Sequence, residues 1–276
     1  MGLSSPVADT TGPMTRTTFD RLMERVAAGE ALSRDDIREL SRTPDVLQIG
    51  MLADDLRRRL HGSRVTFVRV AWCPFEESFA NAVPPAAQEV RITGSPETVA
   101  IAESAVKTAK EVAGERTVAA FAWADIERLS AGSPPRQLLE QLRAAGLDAI
   151  AELPLDAIPD LPAAVGALNA AGFDRLRLGV ARIAAAERTN LLLRAAELQD
   201  EFRCIHSLAP LPSVLNTFRP TTGYEDVKMV AIARLAAPNI PSIQVDWQRY
   251  GSKLSQVALT FGADDLYGVS ASDEAP

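Results

Sequence analysis

Cysteine is nearly missing from this chain: Cys73 and Cys204 are the only two in 276 residues. Two thiols exclude a disulfide framework and point to a reducing, cytoplasmic compartment. Histidine is as scarce, with His61 and His206 alone. On strand alternation His206 shares a face with Cys204, but two ligands do not complete a metal site, so none is expected. Basic charge is not in excess either, since 29 Lys and Arg face 36 Asp and Glu for a net charge of −7. That balance excludes nucleic acid as a partner, because phosphate binding needs a basic surface. No apolar run approaches the roughly 18 residues of a membrane span. The start, Met1-Gly-Leu-Ser-Ser-Pro6, has no basic region leading into an apolar core, as a secretory signal would. Pro6 also stands where a myristoylation motif wants Ser or Thr. No G-x-G-x-x-G turn follows any strand candidate, which removes the usual dinucleotide-binding signal.

What is present is ordinary in bulk, 47% apolar and 24% charged, and long enough for one large barrel or two modest domains. Residues 1–15, rich in Ser, Thr, Pro and Gly, read as a disordered N-terminus. Residues 16–62 read as a helical extension of three helices. Arg16 to Ala28 ends at Gly29, a second helix opens on a Ser33/Asp36 capping box, and a third starts at Pro44-Asp45 and ends at Gly62. From Val65 the pattern changes to short β-branched runs alternating with helical ones. Strands are predicted at Val65–Ala71, Glu89–Thr93, Thr117–Phe121, Ala149–Leu153, Leu176–Val180 and Arg203–Leu208. Ile240–Val245 and Ala263–Leu266 complete eight. Eight strands with intervening helices over about 200 residues predict an α/β fold, a TIM-like (β/α)8 barrel over residues 63–268, with 269–276 a disordered tail. An open doubly wound sheet is the competing arrangement.

The most distinctive residues lie in the last fifty-odd. Arg219-Pro-Thr-Thr-Gly223 leads into a helix capped by Thr222 with Glu225, then Asn239-Ile-Pro, then Gly251-Ser-Lys-Leu and Phe261-Gly-Ala-Asp-Asp-Leu266. In that order and spacing the stretch resembles the aminofutalosine synthase-like radical S-adenosylmethionine (SAM) family of menaquinone biosynthesis. The similarity extends back through Glu197–Glu201 and Ala144–Ile150 to Arg57–Val68.

The resemblance implies an active face built from loops at the C-terminal ends of the barrel strands. It also implies three cysteines, spaced C-x3-C-x2-C, in the loop after strand one. Three thiolates hold three irons of a four-iron, four-sulfur cluster and leave the fourth iron to SAM. Here that loop reads Ala71-Trp-Cys-Pro-Phe-Glu-Glu-Ser-Phe-Ala80, with one cysteine. Cluster and SAM are therefore expected to be absent. Of the SAM-binding elements the family implies, Gly94-Ser95 keeps half a glycine pair, and Asp156 stands where a carboxylate would hold a ribose.

The remaining candidates each have two readings. Cys73 is a site thiol or a buried inert one. Glu76 and Glu77 are paired acids or the first turn of a helix. Asp246 is a weak acid–base candidate after strand seven. Arg219 clamps a ligand carboxylate or phosphate, or makes a structural ion pair. Asp264 and Asp265 hold ribose hydroxyls or cap nearby amides. His206 is a ligand contact or a hydrogen-bonded core histidine, and Trp72 lines a cavity or packs. The expected function is a cluster-less barrel, non-catalytic or repurposed, that binds a small molecule or a protein of menaquinone synthesis. The alternative is an enzyme using cofactor-independent acid–base chemistry on a nucleoside or carboxylate. Trp72, Glu152, His206 and Asp246 are expected at one rim.

Overall fold

A computed structural model describes residues 16–75, 83–182, 188–214 and 221–272. The expected disorder of residues 1–15 and the candidates Glu76, Glu77 and Arg219 lie outside them. Three helices come first: α1 (Arg16–Ala28), α2 (Arg34–Arg42) and α3 (Val46–His61). Their starts obey the capping rules. The Ser33 hydroxyl accepts from the Asp36 amide at 3.2 Å while Asp36 accepts from the Ser33 amide at 2.8 Å. Asp45 accepts from the Gln48 amide at 3.1 Å to open α3.

Eight parallel strands then close into a barrel in chain order, β1 pairing with β8. They are β1 (Thr66–Pro74), β2 (Glu89–Thr93), β3 (Thr117–Ala122), β4 (Ala149–Pro154), β5 (Leu176–Val180), β6 (Ile205–Pro212), β7 (Ser242–Asp246) and β8 (Asp265–Ser270). The helices between them are α4 (Val99–Ala113), α5 (Trp123–Leu129), α6 (Pro135–Ala144), α7 (Leu161–Ala170), α8 (Arg188–Phe202), α9 (Gly223–Ala236) and α10 (Trp247–Leu259). The barrel is the one the strand series predicts, and the open sheet is excluded. Its main apolar core lies between the outward strand faces and the helices, with Val90, Ile92, Val118, Leu139, Leu168 and Ile243 almost or wholly without solvent contact. Burying each such side chain stabilises the fold by about 1.5–3 kcal/mol.

The N-terminal helices pack on this barrel rather than standing apart. Gly50 of α3 meets the Phe261 ring so closely that a Cβ there would lie 2.5 Å from it. Lys228 of α9 donates to the Ser41 and Thr43 carbonyls at 2.8 and 2.7 Å, tying off the end of α2. Thus α9 is covered on both sides, which explains why it is buried nearly all round.

Four strands differ by more than one residue from their predicted spans. Strand β1 runs on to Pro74 and takes in Trp72 and Cys73, which the sequence reading put in the loop after it. Strand β7 starts at Ser242, and β6 and β8 shift as well. The sequence reading ends the sixth strand at Leu208. Instead β6 continues through Pro210 and Pro212, accommodated by register shifts against β5. It also starts later, since Arg203 has a left-handed φ of 55°. The eighth strand begins where it was expected to end: Gly262, with φ 98°, makes the turn before it, and β8 runs on to Ser270, two residues into the expected tail.

Candidate active site at the barrel mouth

Alternation sorts the strand residues into lumen and helix-facing sets. In β1, Trp72 faces the lumen and pairs in register with Arg91 of β2. Its neighbour Cys73 therefore faces the helices, wholly buried in the apolar core. In β7 and β8, Gln244 stands beside Asp265 and Asp246 beside Tyr267.

The middle of the lumen is charged, where buried parallel strands are ordinarily apolar. Glu89 is the hub. Its Oε2 accepts from Arg177 Nη1 at 2.7 Å, and its Oε1 accepts from the Tyr267 hydroxyl at 2.9 Å. Arg91 Nε lies 3.6 Å from Oε1. Burial alone would raise the Glu89 carboxyl, but the guanidinium of Arg177, then that of Arg91, reverses this and holds it below the usual range. The Tyr267 hydroxyl is pushed up by burial above all. The Arg91 guanidinium sits 4.7 Å from the Tyr267 ring centre and 5.3 Å from that of Trp72, and Arg177 sits 4.9 Å from Tyr267.

Above this layer, at the C-terminal ends of the strands, a cavity of about 230 Å³ opens between Trp72, Arg91, Arg177, Asp246, Tyr250 and Tyr267. Glu152 stands on its rim. Asp246 Oδ1 accepts from the Arg249 amide at 2.9 Å, capping α10, and Oδ2 lies 3.6 Å from Arg249 Nη1. Asp156 is occupied just outside: its carboxylate accepts from the Ala181 and Arg182 amides at 2.7 and 2.5 Å, fixing the loop after β5.

The other mouth, at the N-terminal ends, holds three residues that the sequence reading assigned to the active face. His206 is the second residue of β6, not one near its end, and so lies at the opposite rim from Trp72, Glu152 and Asp246. Its ring is 2.7 Å from Arg175, and burial, then Arg175, lowers its pKa. Asp264 and Asp265 precede or begin β8 and lie at that mouth too. Asp264 pairs with Arg234, which has no solvent contact, and accepts from the Ser242 hydroxyl and the Ile243 amide, both at 2.8 Å. Arg234 also donates to the Gly262 carbonyl at 3.0 Å, and a Cβ on Gly262 would lie 2.9 Å from the arginine's own Cβ. Asp265 accepts from Thr66 at 2.6 Å and from Gln244. The Gly262–Asp265 motif is thus a clasp closing the barrel, because every carboxylate oxygen in it has a donor. Cys204 is buried beside the same end.

Sequence reading missed Glu89, Arg91, Arg177 and Tyr267. The available signal was a charge flanked by apolar residues, Val90-Arg-Ile92 and Leu176-Arg-Leu178, inside strands whose other face must meet helices.

Residues 208–274 match a family described as the CofH/MqnC C-terminal region. Aminodeoxyfutalosine synthase of Thermus thermophilus is 26% identical, covering 90% of this chain and 83% of that protein. The 5-amino-6-(D-ribitylamino)uracil–L-tyrosine 4-hydroxyphenyl transferase of Archaeoglobus fulgidus is 40% identical over 29% of this chain. The chain spans about a quarter of the length of the transferases it matches. Among solved structures, the FeFe-hydrogenase maturase HydG of Carboxydothermus hydrogenoformans superposes with a TM-score of 0.66 at 12% identity, covering 91% of this chain and 70% of that one.

Proposed function

We propose that the chain is a repurposed barrel of the aminofutalosine synthase-like radical SAM family, a reading supported by its match to the CofH/MqnC C-terminal region and its likeness to aminodeoxyfutalosine synthase. It binds a small molecule at its C-terminal mouth, without a cluster or SAM of its own, and serves menaquinone synthesis as a binding or partner protein. One observation carries this reading. The family's cluster asks for three thiolates on one loop, and the whole sequence has two cysteines. They do not fit the group: Cys73 faces the helix layer, and Cys204 stands at the far end of the barrel, just before β6. The buried donors of Trp72, Arg91 and Arg177 that have no acceptor among the described residues, beside the mouth cavity, support retained binding.

The test is anaerobic reconstitution with iron and sulfide. The expected outcome is no thiolate-to-iron absorption near roughly 400 nm and no bound iron. Stoichiometric iron and sulfide, abolished in Cys73→Ala, would overturn the reading. Thermal-shift screening should show no stabilisation by SAM, whereas a mouth ligand at 100 times its Kd should add about 2.7 kcal/mol.

A further inference from the structure

Outside the barrel, a cavity of about 410 Å³ lies between α2 and the first turns of α8 and α9. It shares no described lining residue with the C-terminal mouth. The chain carries a net charge of −7, yet this cavity has the opposite sign. Among the described residues, Arg38, Arg42, Arg188 and Lys228 line it against a single carboxylate, Glu225. Glu225 is engaged by its own helix, since its Oε2 accepts from the Thr222 amide at 3.0 Å to close the cap of α9. Arg38 pairs with Asp35 at 3.1 Å, outside the cavity. The other three cations have no carboxylate within ion-pair distance among the described residues. Arg188 feels the Asp226 carboxylate only at longer range, because that group is buried and bonded by Thr221. The Arg188 Nε is buried with no acceptor among the described residues. Lys228 gives two of its three N–H donors to the Ser41 and Thr43 carbonyls. Those neutral acceptors hold the ammonium in place without cancelling its charge, and burial sets its pKa below the usual lysine value.

We propose that this cavity binds a small phosphate monoester, with Arg42, Arg188 and Lys228 around the phosphoryl oxygens and the organic part over Met229 and Ile232. A phosphate monoester carries a charge of about −1.5 to −2 at neutral pH and three strong acceptor oxygens. Three cations without an ion pair match that charge better than the single charge of a carboxylate. Two of them are guanidinium groups, which take phosphoryl oxygens through paired N–H donors. Arg188 and Thr189 open α8, so the positive end of its dipole adds to the same field. Met229 and Ile232 are buried and lie three residues apart on α9, on the side of the helix that lines the cavity, where they offer an apolar floor. The volume falls within the ~300–1,000 Å³ of small-molecule pockets, and walls from three helices make a concavity that suits a small molecule better than a flat partner surface.

Calorimetric titration of the full chain at low salt with phenyl phosphate, phenyl sulfate and inorganic phosphate tests the assignment. Phenyl phosphate is expected to bind once per chain, with phenyl sulfate, which carries one charge, at least tenfold weaker. Inorganic phosphate should bind more weakly than the ester, because it leaves Met229 and Ile232 uncovered. Arg188→Gln should weaken phenyl phosphate at least tenfold and Arg42→Gln at least fivefold, with the melting temperature of the unliganded protein unchanged. Arg42 is exposed, so its variant keeps the test decisive where Arg188→Gln does not fold. No binding of phenyl phosphate, or an unchanged affinity in Arg42→Gln, overturns the site. Phenyl sulfate binding as tightly as phenyl phosphate overturns the choice of a phosphoryl group, and inorganic phosphate doing so overturns the ester. A glutamate-rich peptide that binds more tightly than phenyl phosphate overturns the small-molecule assignment in favour of an acidic protein partner.

Discussion

The two mouths of this barrel are made of the same residue types and put them to opposite uses. At the N-terminal mouth the paired carboxylates are fully bonded: Asp264 takes the Arg234 guanidinium, and Asp265 takes Thr66 and Gln244. At the C-terminal mouth, Arg91, Arg177 and Trp72 keep donors with no acceptor. A matched buried ion pair fixes geometry and tolerates no loss of a partner. An unmatched donor set costs stability until something fills it, which is how a binding site differs from a structural clasp. The difference teaches that the most distinctive motif of a chain need not lie at its active face. Here Gly262-Ala-Asp-Asp265 closes the barrel at the opposite end.

Mutations offer ways to break that comparison. The largest effect is expected for Asp264→Ala, which leaves Arg234 buried with no counter-charge. It should cost about 3–5 kcal/mol in urea unfolding without changing the affinity of a mouth ligand that survives folding. A loss below about 1 kcal/mol would mean that the clasp is not structural. Glu89→Gln comes next, because it unmasks two guanidinium groups that keep slight access to the lumen. A loss of about 1.5–3 kcal/mol is expected, together with tighter binding of anions at the C-terminal mouth. Weaker anion binding in this variant would contradict the role given to Glu89. Asp246→Ala should cost about 1 kcal/mol in thermal unfolding through the lost α10 cap, and Asp246→Asn close to nothing, since asparagine caps as well. A large loss with asparagine would point to a role for the charge itself, as the acid–base alternative requires.

The smallest effect is a pH dependence at the N-terminal mouth. The folded-state pKa of His206 is lowered from 6.5, by burial and then by Arg175. The unfolded chain therefore takes up the proton first as the pH falls. Stability from the neutral ring is complete above the unfolded pKa and declines as the pH drops below about 6.5, until the folded pKa is passed. The difference in stability between wild type and His206→Gln should shrink over that window. A difference that grows instead would show that the ring gains a proton on folding.

Much of the fold was legible in the chain, and for identifiable reasons. Capping boxes at Ser33/Asp36 and Thr222/Glu225 mark helix starts because the side chains that satisfy the first amides are local in sequence. Strand runs such as Glu89–Thr93 and Leu176–Val180 coincide with β2 and β5. The site was less legible. Trp72 and Asp246 lie at the C-terminal mouth, where they were expected, but His206 does not, because β6 runs four residues past its expected end and leaves it second in the strand. Asp156 was rightly placed near the C-terminal ends, yet its oxygens are taken by loop amides, a pairing across 25 residues that no local pattern announces.

The sequence by itself determined the absence of a cysteine triad, the helix caps, and a series of eight strands alternating with helices, which the structure closes as a parallel barrel. These follow from residue counts and from interactions between near neighbours in the chain. The tertiary structure alone decided which end of each strand a residue occupies, and so which charges meet. Glu89, Arg177 and Tyr267 come from strands separated by up to 178 residues, and they share one layer only because closure sets the stagger between strands. Whether a given arginine is matched, as Arg234 is, or left with open donors, as Arg91 is, depends on that stagger, since electrostatic pairing acts over a few ångströms of space and not along the chain.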